Sequence, residues 1–157
     1  MKSLIIYYSY GGNTKGIAEM IQKKTGSGII RIETVVPYGT NYNMVVNQGQ
    51  DEVNRGYCPA IKPVDVDWNK YDTIILGTPV WWYTFAPAMH TFINSRNWSG
   101  KTVYPFATNG GWIGHTFKDF ADACSGASVK PGMNIRFDEA TLCTSTKDIE
   151  KWISQIG

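Results

Sequence analysis

Short apolar runs alternate with amphipathic stretches along the chain. Four runs have the length and β-rich composition of buried strands, at residues 4–8, 29–35, 73–76 and 103–107. A weaker fifth run lies at residues 134–137 and could extend toward Leu142. Because strands and helical patterns alternate throughout, the sequence predicts a parallel sheet that is covered by helices on both faces.

Apolar residues at helical spacing predict five helices. Their apolar faces carry Ile17, Ala18 and Ile21; Tyr42, Val45, Val46, Gly49 and Val53; Met89, Phe92 and Ile93 after Pro87; Phe117, Phe120, Ala121 and Cys124; and Ile149, Trp152, Ile153 and Ile156. We expect Thr40 to cap the second helix, Gly126 to end the fourth, and Ser145 with Asp148 to form a capping box before the fifth. No repeat or linker interrupts this pattern, so a single three-layer α/β domain is predicted over residues 1–157.

Composition and charge restrict the class of protein. Hydrophobic residues make up 43% and charged residues 18% of the 157, which favours a globular protein over a disordered one. The net charge is only +2 with scattered Lys and Arg, which argues against nucleic acid and membrane surfaces as partners. No segment approaches the roughly 18 apolar residues of a membrane span, and the first apolar run is too short for a signal peptide. Three widely spaced cysteines favour free thiols in a reducing compartment, so a cytoplasmic location is expected.

Ligands of open parallel sheets bind beyond the carboxyl ends of the strands, so the loops there carry the functional argument. The loop after the first strand consists of Ser9, Tyr10, Gly11, Gly12, Asn13 and Thr14. Its glycines allow close approach, and the helix that follows supplies free N–H groups and a favourable dipole for a phosphate. The loop matches neither the P-loop nor the dinucleotide fingerprint. The alternative is an ordinary strand-to-helix turn.

Three adjacent aromatic residues follow the third strand. The loop consists of Thr78, Pro79, Val80, Trp81, Trp82 and Tyr83. Strand alternation would bury at most every other ring in the core, so these side chains are candidates for the wall of a site for a flat aromatic ligand. The alternative is a cap over the next helix.

The loop after the fourth strand is rich in glycine. It contains Thr108, Asn109, Gly110, Gly111 and Trp112, with His115 close behind. Asparagine and paired glycines can meet the edge of a heterocycle with backbone donors and acceptors. A flexible turn before the next helix is the alternative.

Together the three loops resemble those of flavodoxins. Residues 9–14 are similar to the family's phosphate loop, [ST]-x-[TSG]-G-x-T. Residues 79–82 resemble the P-[VI]-W-W flavin loop of a bacterial flavodoxin-like branch, and residues 108–111 resemble its T-[SN]-G-G loop. The resemblance implies a five-stranded parallel sheet of order 2-1-3-4-5 and a bound FMN, with the phosphate at residues 9–14 and the isoalloxazine between the other two loops.

Two features depart from that family. Electron-carrier flavodoxins are strongly acidic, whereas this chain has a pI of about 8.4, which argues against the usual basic redox partners. Many relatives with the W-W loop have Gly where this chain has Tyr83, and tyrosine tolerates positive φ poorly. This difference argues against control of the semiquinone by a backbone flip at this position.

Other reactive residues are predicted to have lesser roles. His115 is a candidate contact of the flavin, whereas His90 falls within a helix, and two histidines without a carboxylate at ligand spacing predict no metal site. Cys124 is expected in the core, and Cys58 lies in a loop with nothing nearby in sequence to activate it. The pairs Asp51–Glu52 and Asp65–Asp67 are interpreted as solvated charge.

These features leave three hypotheses for the function. The first is an FMN-binding electron carrier between redox partner proteins, in which no catalytic acid or base is required. The second is an FMN-dependent NAD(P)H oxidoreductase that reduces a quinone or a similar small acceptor. The third, a binding module without flavin, is disfavoured because all three loops are intact.

Overall fold

The computed structural model describes residues 2–156 and contains the predicted alternation of strands and helices. The strands are β1 (Ser3–Tyr7), β2 (Gly28–Arg31), β3 (Thr73–Trp81), β4 (Thr84–Phe85), β5 (Thr102–Asn109), β6 (Ser128–Val129), β7 (Met133–Asp138) and β8 (Thr141–Leu142). The helices are α1 (Asn13–Thr25), α2 (Tyr42–Arg55), α3 (Pro87–Asn94), α4 (Thr116–Ala123) and α5 (Thr146–Ile153), with a 3₁₀ turn at Trp68–Lys70.

The five long strands pair in parallel in the order β2-β1-β3-β5-β7. This arrangement confirms the predicted order 2-1-3-4-5. The sheet also has three short strands that the sequence did not predict: β4 pairs antiparallel with β3, β6 pairs parallel with β5, and β8 pairs antiparallel with β7. Two-residue strands leave no periodic signal, so a count of five strands was incomplete.

Alternation along β1 divides the core into two layers. Leu4 and Ile6 pack on one face of the sheet with Phe92 of α3 and Phe120 of α4. Ile5 and Tyr7 pack on the other face with residues of α1 and α5, including Ile149. Helices therefore cover both faces of the sheet, as the pattern predicted.

Several predicted boundaries were wrong. Strand β2 ends at Arg31 rather than at residue 35, and Val36 beyond it is 79% exposed. Helix α2 is capped by Asn41, whose Oδ1 accepts from the N–H of Met44 at 3.1 Å, and not by Thr40. Both errors come from local alternatives of similar propensity, between which packing decides.

Other local predictions hold or need only small corrections. Pro87 opens α3, and the Ser145 hydroxyl accepts from the N–H of Lys147 at the start of α5. Helix α4 ends at Ala123, three residues before Gly126. Tyr42, assigned to the buried face of α2, is 77% exposed. Within residues 2–156, no helix combines the length and the apolar character needed to cross a membrane.

Candidate functional site

The carboxyl ends of β1, β3 and β5 meet at one edge of the sheet and enclose a cavity of about 260 Å³. Its lining includes eight residues from the three sequence-predicted loops: Tyr10, Asn13, Thr14, Pro79, Val80, Thr108, Asn109 and Gly110. A second, mostly apolar cavity of about 230 Å³ shares Tyr10 and Val80 with it and extends to Trp81 and Trp82. The structure thus brings residues of the three loops together around two adjacent cavities.

The first loop contributes Tyr10, Asn13 and Thr14 to the cavity of about 260 Å³ and contains no Lys or Arg. Gly11 adopts φ 83°, and a Cβ built on Gly11 or Gly12 would meet no other atom within 4 Å, so the space before the loop is open. Gly12 is the N-cap of α1 and provides no side-chain cap. The first N–H groups of a helix have no backbone partner within it. The N–H of Lys15 donates to the Ser9 hydroxyl, so those of Asn13 and Thr14 are the candidates to meet an anion that enters this space.

The polar side chains of the same loop are engaged within the protein. The Ser9 hydroxyl accepts from the N–H of Lys15 at 3.2 Å, and Asn13 Nδ2 donates to the Glu139 carbonyl at 2.7 Å. The Thr14 hydroxyl lies 2.8 Å from that of Thr108, and both are buried. These bonds shape the loop and join it to β5 and to the turn between β7 and β8.

The aromatic segment forms a tight hairpin between β3 and β4. Val80 pairs with Phe85 and Trp81 with Thr84, so Trp82 and Tyr83 occupy the turn. Both turn residues have positive φ, 51° and 70°. Tyrosine tolerates positive φ poorly, but a two-residue hairpin needs this geometry to follow the twist of its strands.

Surrounding contacts hold the hairpin in this strained conformation. The Tyr83 carbonyl accepts from the N–H of His115 at 2.8 Å. Thr78, which is fully buried, accepts from the N–H of Ala86 at 3.0 Å through its hydroxyl and so anchors the base of the hairpin. Residues in left-handed backbone conformations persist only where neighbouring structure fixes them.

The two tryptophans of the hairpin face different surroundings. Trp81 packs edge-to-face against Tyr38, with ring centroids 4.9 Å apart, and also contacts Tyr8 and Tyr10. Trp82 donates from its indole N–H to the Val46 carbonyl of α2 at 3.0 Å. Trp81 therefore packs the hairpin against the core, and Trp82 connects the hairpin to α2.

The third loop borders the cavity from the side of β5. Asn109 Oδ1 accepts from the N–H of Gly111 at 2.9 Å, which folds the loop back on itself. Gly111 has φ 136°, and a Cβ there would lie 3.7 Å from Nε of Arg136. Trp112 is 68% exposed and packs against Tyr83, with centroids 5.9 Å apart. The rim of the site is thus aromatic and open to solvent.

His115 does not line this cavity. Its Nδ1 pairs with Asp119, which also accepts from the Thr84 hydroxyl. His115 instead lines a separate cavity of about 400 Å³ that also contains His90. Within residues 2–156, no group of three or more His, Cys, Asp or Glu side chains is placed to hold a metal ion.

Residues from β7 and its following turn also line the site, and sequence reasoning missed them. Phe137 and Glu139 border the cavity of about 260 Å³, and Glu139 has φ 53°. The only signal was the weak apolar run at residues 134–137, which indicated a strand but not its position beside the loop at residues 9–14.

Glu52 was wrongly interpreted as solvated charge. It is 4% exposed, and its carboxylate accepts from the Tyr38 hydroxyl at 2.5 Å and from Gln48 Nε2 at 2.8 Å. Burial, and then the hydrogen bond to Glu52, raise the pKa of the Tyr38 hydroxyl, so this hydroxyl stays protonated as a donor. The pair anchors the loop of Tyr38 to α2, behind Trp81.

Comparisons with known proteins agree with this geometry. A family model described as flavodoxin matches residues 2–156. A crystal structure of a candidate flavoprotein from Bacteroides eggerthii is 29% identical with a TM-score of 0.84, covering 99% of this chain and 97% of that chain. A flavoprotein from Lactobacillus acidophilus in complex with FMN is 23% identical with a TM-score of 0.78, covering 96% of this chain and 97% of that chain. At this identity the similarity shows the fold alone.

A curated relative matches a smaller part. YcaK of Escherichia coli, an uncharacterized NAD(P)H oxidoreductase, is 27% identical over 96 residues, which are 58% of this chain and 48% of that protein. The chain thus spans about half the length of the curated relative it matches.

Proposed function

The chain belongs to the flavodoxin family, and we propose that it binds one FMN and passes electrons through it between redox partners. The observation that carries the proposal is the meeting of three loops around two adjacent cavities, with the N-terminus of α1 beside one and Trp81 and Trp82 lining the other. The complex of the Lactobacillus acidophilus flavoprotein with FMN supports the choice of cofactor.

The residues present fit FMN. The phosphate would bind at residues 9–14, at the N-terminus of α1, where among residues 2–156 nothing lies within 4 Å of a Cβ built on Gly11 or Gly12. The isoalloxazine would lie between residues 78–83 and residues 108–112, against the apolar surface of the hairpin. His115 is not part of this arrangement because it lines the separate cavity of about 400 Å³.

A bound flavin supplies transfer of one or two electrons, and the chain supplies binding, orientation and exclusion of water. Neutral N–H donors would hold the phosphate, without a cationic side chain in the loop. Trp81, fixed by its aromatic neighbours, would present a rigid apolar face to the ring. Such a face disfavours negative charge on the reduced flavin because water cannot solvate it there.

A second candidate function is an FMN-dependent NAD(P)H oxidoreductase that reduces a quinone or a similar small acceptor. Its support is the likeness to YcaK and the open rim, where Tyr83 is 49% and Trp112 is 68% exposed. Exposed rings beside the flavin would offer a stacking surface to a nicotinamide or a quinone.

The cofactor is tested by titrating the apoprotein with FMN, riboflavin and FAD while flavin fluorescence is followed. We expect one FMN per chain, bound more tightly than riboflavin because only FMN has the terminal phosphate, and more tightly than FAD. If riboflavin binds as tightly as FMN, the phosphate is not bound at residues 9–14.

The two functions are separated by steady-state oxidation of NADH and NADPH by the FMN-loaded protein, with and without a quinone. Turnover with a quinone supports the oxidoreductase. A flavin that exchanges electrons with chemical reductants but is not reduced by either nucleotide supports the electron carrier.

We also propose that residues 1–157 form one domain and that the protein works in the cytoplasm. Both core layers pack on the same sheet, which supports a single domain. Cys58, Cys124 and Cys143 are all free, as expected in a reducing compartment.

A further inference from the structure

Cys58 and His90 form a thiol–imidazole pair away from the candidate flavin site. The Cys58 Sγ lies 3.4 Å from Nδ1 of His90, although the two residues are 32 positions apart in sequence. Asn94, one turn further along α3, donates from Nδ2 to the same sulfur at 3.6 Å. An imidazole can accept the thiol proton, and both side chains can then donate to the resulting thiolate, which is the nucleophilic form of cysteine.

His90 connects the pair to the cavity of about 400 Å³ between α2, α3 and α4. His90 lines this cavity, as does Tyr57, which directly precedes Cys58. Phe85 contributes an apolar wall and packs against the His90 ring, with centroids 5.6 Å apart. A molecule of a few heavy atoms can therefore occupy space beside the His90 ring, whose Nδ1 contacts the Cys58 thiol.

Carboxylates also line the cavity. Glu52 is 4% exposed, and within residues 2–156 no cationic side chain forms an ion pair with it, since its hydrogen bonds come from the neutral donors Tyr38 and Gln48. Asp119 and Asp122 also border the cavity, but they pair with His115 and Lys118, so Glu52 is the carboxylate that carries the argument. A buried carboxylate without a counter-ion favours a ligand that brings a cationic group.

We propose that Cys58 is a site of reversible S-thiolation by small aliphatic disulfides that carry an ammonium group, with His90 as the proton acceptor. The thiol proton moves from Sγ to Nδ1, and the thiolate attacks one sulfur of the disulfide. The bond between the two disulfide sulfurs breaks as the bond to Sγ forms, and the departing thiolate takes the proton from the imidazolium. Cys58 is oxidised to a mixed disulfide, and one half of the small disulfide is reduced to a thiol.

The other two cysteines lack these features and provide internal controls. Cys143 is exposed, and among residues 2–156 its Sγ has one hydrogen bond, to the Thr141 carbonyl at 3.6 Å. Cys124 is 1% exposed within the core. The inference is independent of the flavin site, because neither Cys58 nor His90 belongs to the loops that are proposed to hold FMN.

The test compares cystamine, which carries two ammonium groups, with 3,3′-dithiodipropionate, which carries two carboxylates. The full-length protein as isolated is treated with each disulfide, and mixed disulfides at Cys58 and Cys143 are quantified over time by peptide mass spectrometry. We expect cystamine to modify Cys58 about tenfold faster than Cys143, and His90→Gln to remove most of this advantage without changing the rate at Cys143. The ratio of the Cys58 to the Cys143 rate should be higher with cystamine than with the dicarboxylate, and Glu52→Gln should reduce that preference.

Each outcome bears on a stated part of the proposal. Equal rates at Cys58 and Cys143 in the unmodified sequence would overturn the reactive pair, and an advantage that persists in His90→Gln would overturn the role of the imidazole. Equal rate ratios for the two disulfides would overturn recognition of the ammonium group. The comparison of the two disulfides uses the unmodified sequence, so it remains decisive if a variant does not fold.

Discussion

Gly114 and Tyr83 are in backbone contact, since a Cβ built on Gly114 would lie 2.5 Å from the Tyr83 Cα. Gly114 also has φ 59°, and the next residue donates its N–H to the Tyr83 carbonyl at 2.8 Å. The segment before α4 therefore holds the Trp82–Tyr83 turn in its left-handed conformation. This contact joins the second and third loops of the candidate flavin site.

Replacing Gly114 with Ala should destabilise the protein and disturb the hairpin. The added Cβ would collide with the Tyr83 backbone, and we expect a loss of about 2–4 kcal/mol in the free energy of unfolding, measured in urea. Gly16→Ala in α1 is the matched control, because a Cβ there meets nothing within 4 Å. It should leave stability unchanged or raise it by up to about 1 kcal/mol. Equal stabilities of the two variants would contradict the contact.

Gly12→Asp should weaken FMN binding while the fold is kept. A Cβ at Gly12 meets no neighbour, and aspartate is a favourable N-cap for α1, so stability should rise by up to about 0.5 kcal/mol. The carboxylate would repel the phosphate and lower FMN affinity by about tenfold or more. Gly12→Asn is isosteric and neutral and separates charge from size, and riboflavin affinity should change little in either variant. An unchanged FMN affinity in Gly12→Asp would show that the phosphate binds elsewhere.

The buried hydroxyl pair of Thr14 and Thr108 should appear in a double-mutant cycle. Each single change to valine leaves the other hydroxyl unpaired and should lower the free energy of unfolding by about 1–3 kcal/mol. The double variant should lose less than the sum, because no unpaired hydroxyl remains. FMN should bind more weakly to Thr14→Val. Strictly additive losses of stability would mean that the two hydroxyls do not interact.

Trp81→Ala and Trp82→Ala test the wall of the flavin site. At least one ring should lie against the isoalloxazine and quench its fluorescence, so its removal should restore fluorescence and weaken FMN by roughly 1–3 kcal/mol. It should also raise the midpoint potential for formation of the reduced anion, since water could then solvate it. Trp68→Ala, outside the loops, is the control that lowers stability without affecting the flavin. If neither hairpin variant alters fluorescence or potential, the flavin is not bound against this loop.

Stability should decline in alkaline solution. Burial raises the pKa of the Cys124 thiol from 9.0 to about 12, so at pH values between these limits the unfolded chain loses a proton that the folded chain retains. The free energy of unfolding therefore falls as the pH rises above 9.0, by at most about 1.4 kcal/mol per pH unit for this group. Urea unfolding at a series of alkaline pH values should show a shallower decline in Cys124→Ala. The same slope in both proteins would contradict a buried, protonated thiol.

Local sequence was sufficient to predict the long strands and the start of α3 at Pro87. The order of the strands in the sheet was predicted from the family resemblance. Strands that are buried on both faces appear as continuous apolar runs, and proline and serine mark helix starts through their own backbone and side-chain chemistry. The three loops could be located for the same reason, because each directly follows such a run.

Contacts between distant residues could not be predicted. Thr14 and Thr108 are 94 positions apart, and Cys58 and His90 are 32 apart, yet each pair is in hydrogen-bonding distance. The burial of Glu52 depends in the same way on Tyr38, 14 positions before it. Periodicity indicates which face of an element is buried, but it does not indicate which side chains meet there. Packing determines the polar pairs, the strained hairpin and the second cavity, because these depend on how close the folded layers bring residues that are far apart in the chain.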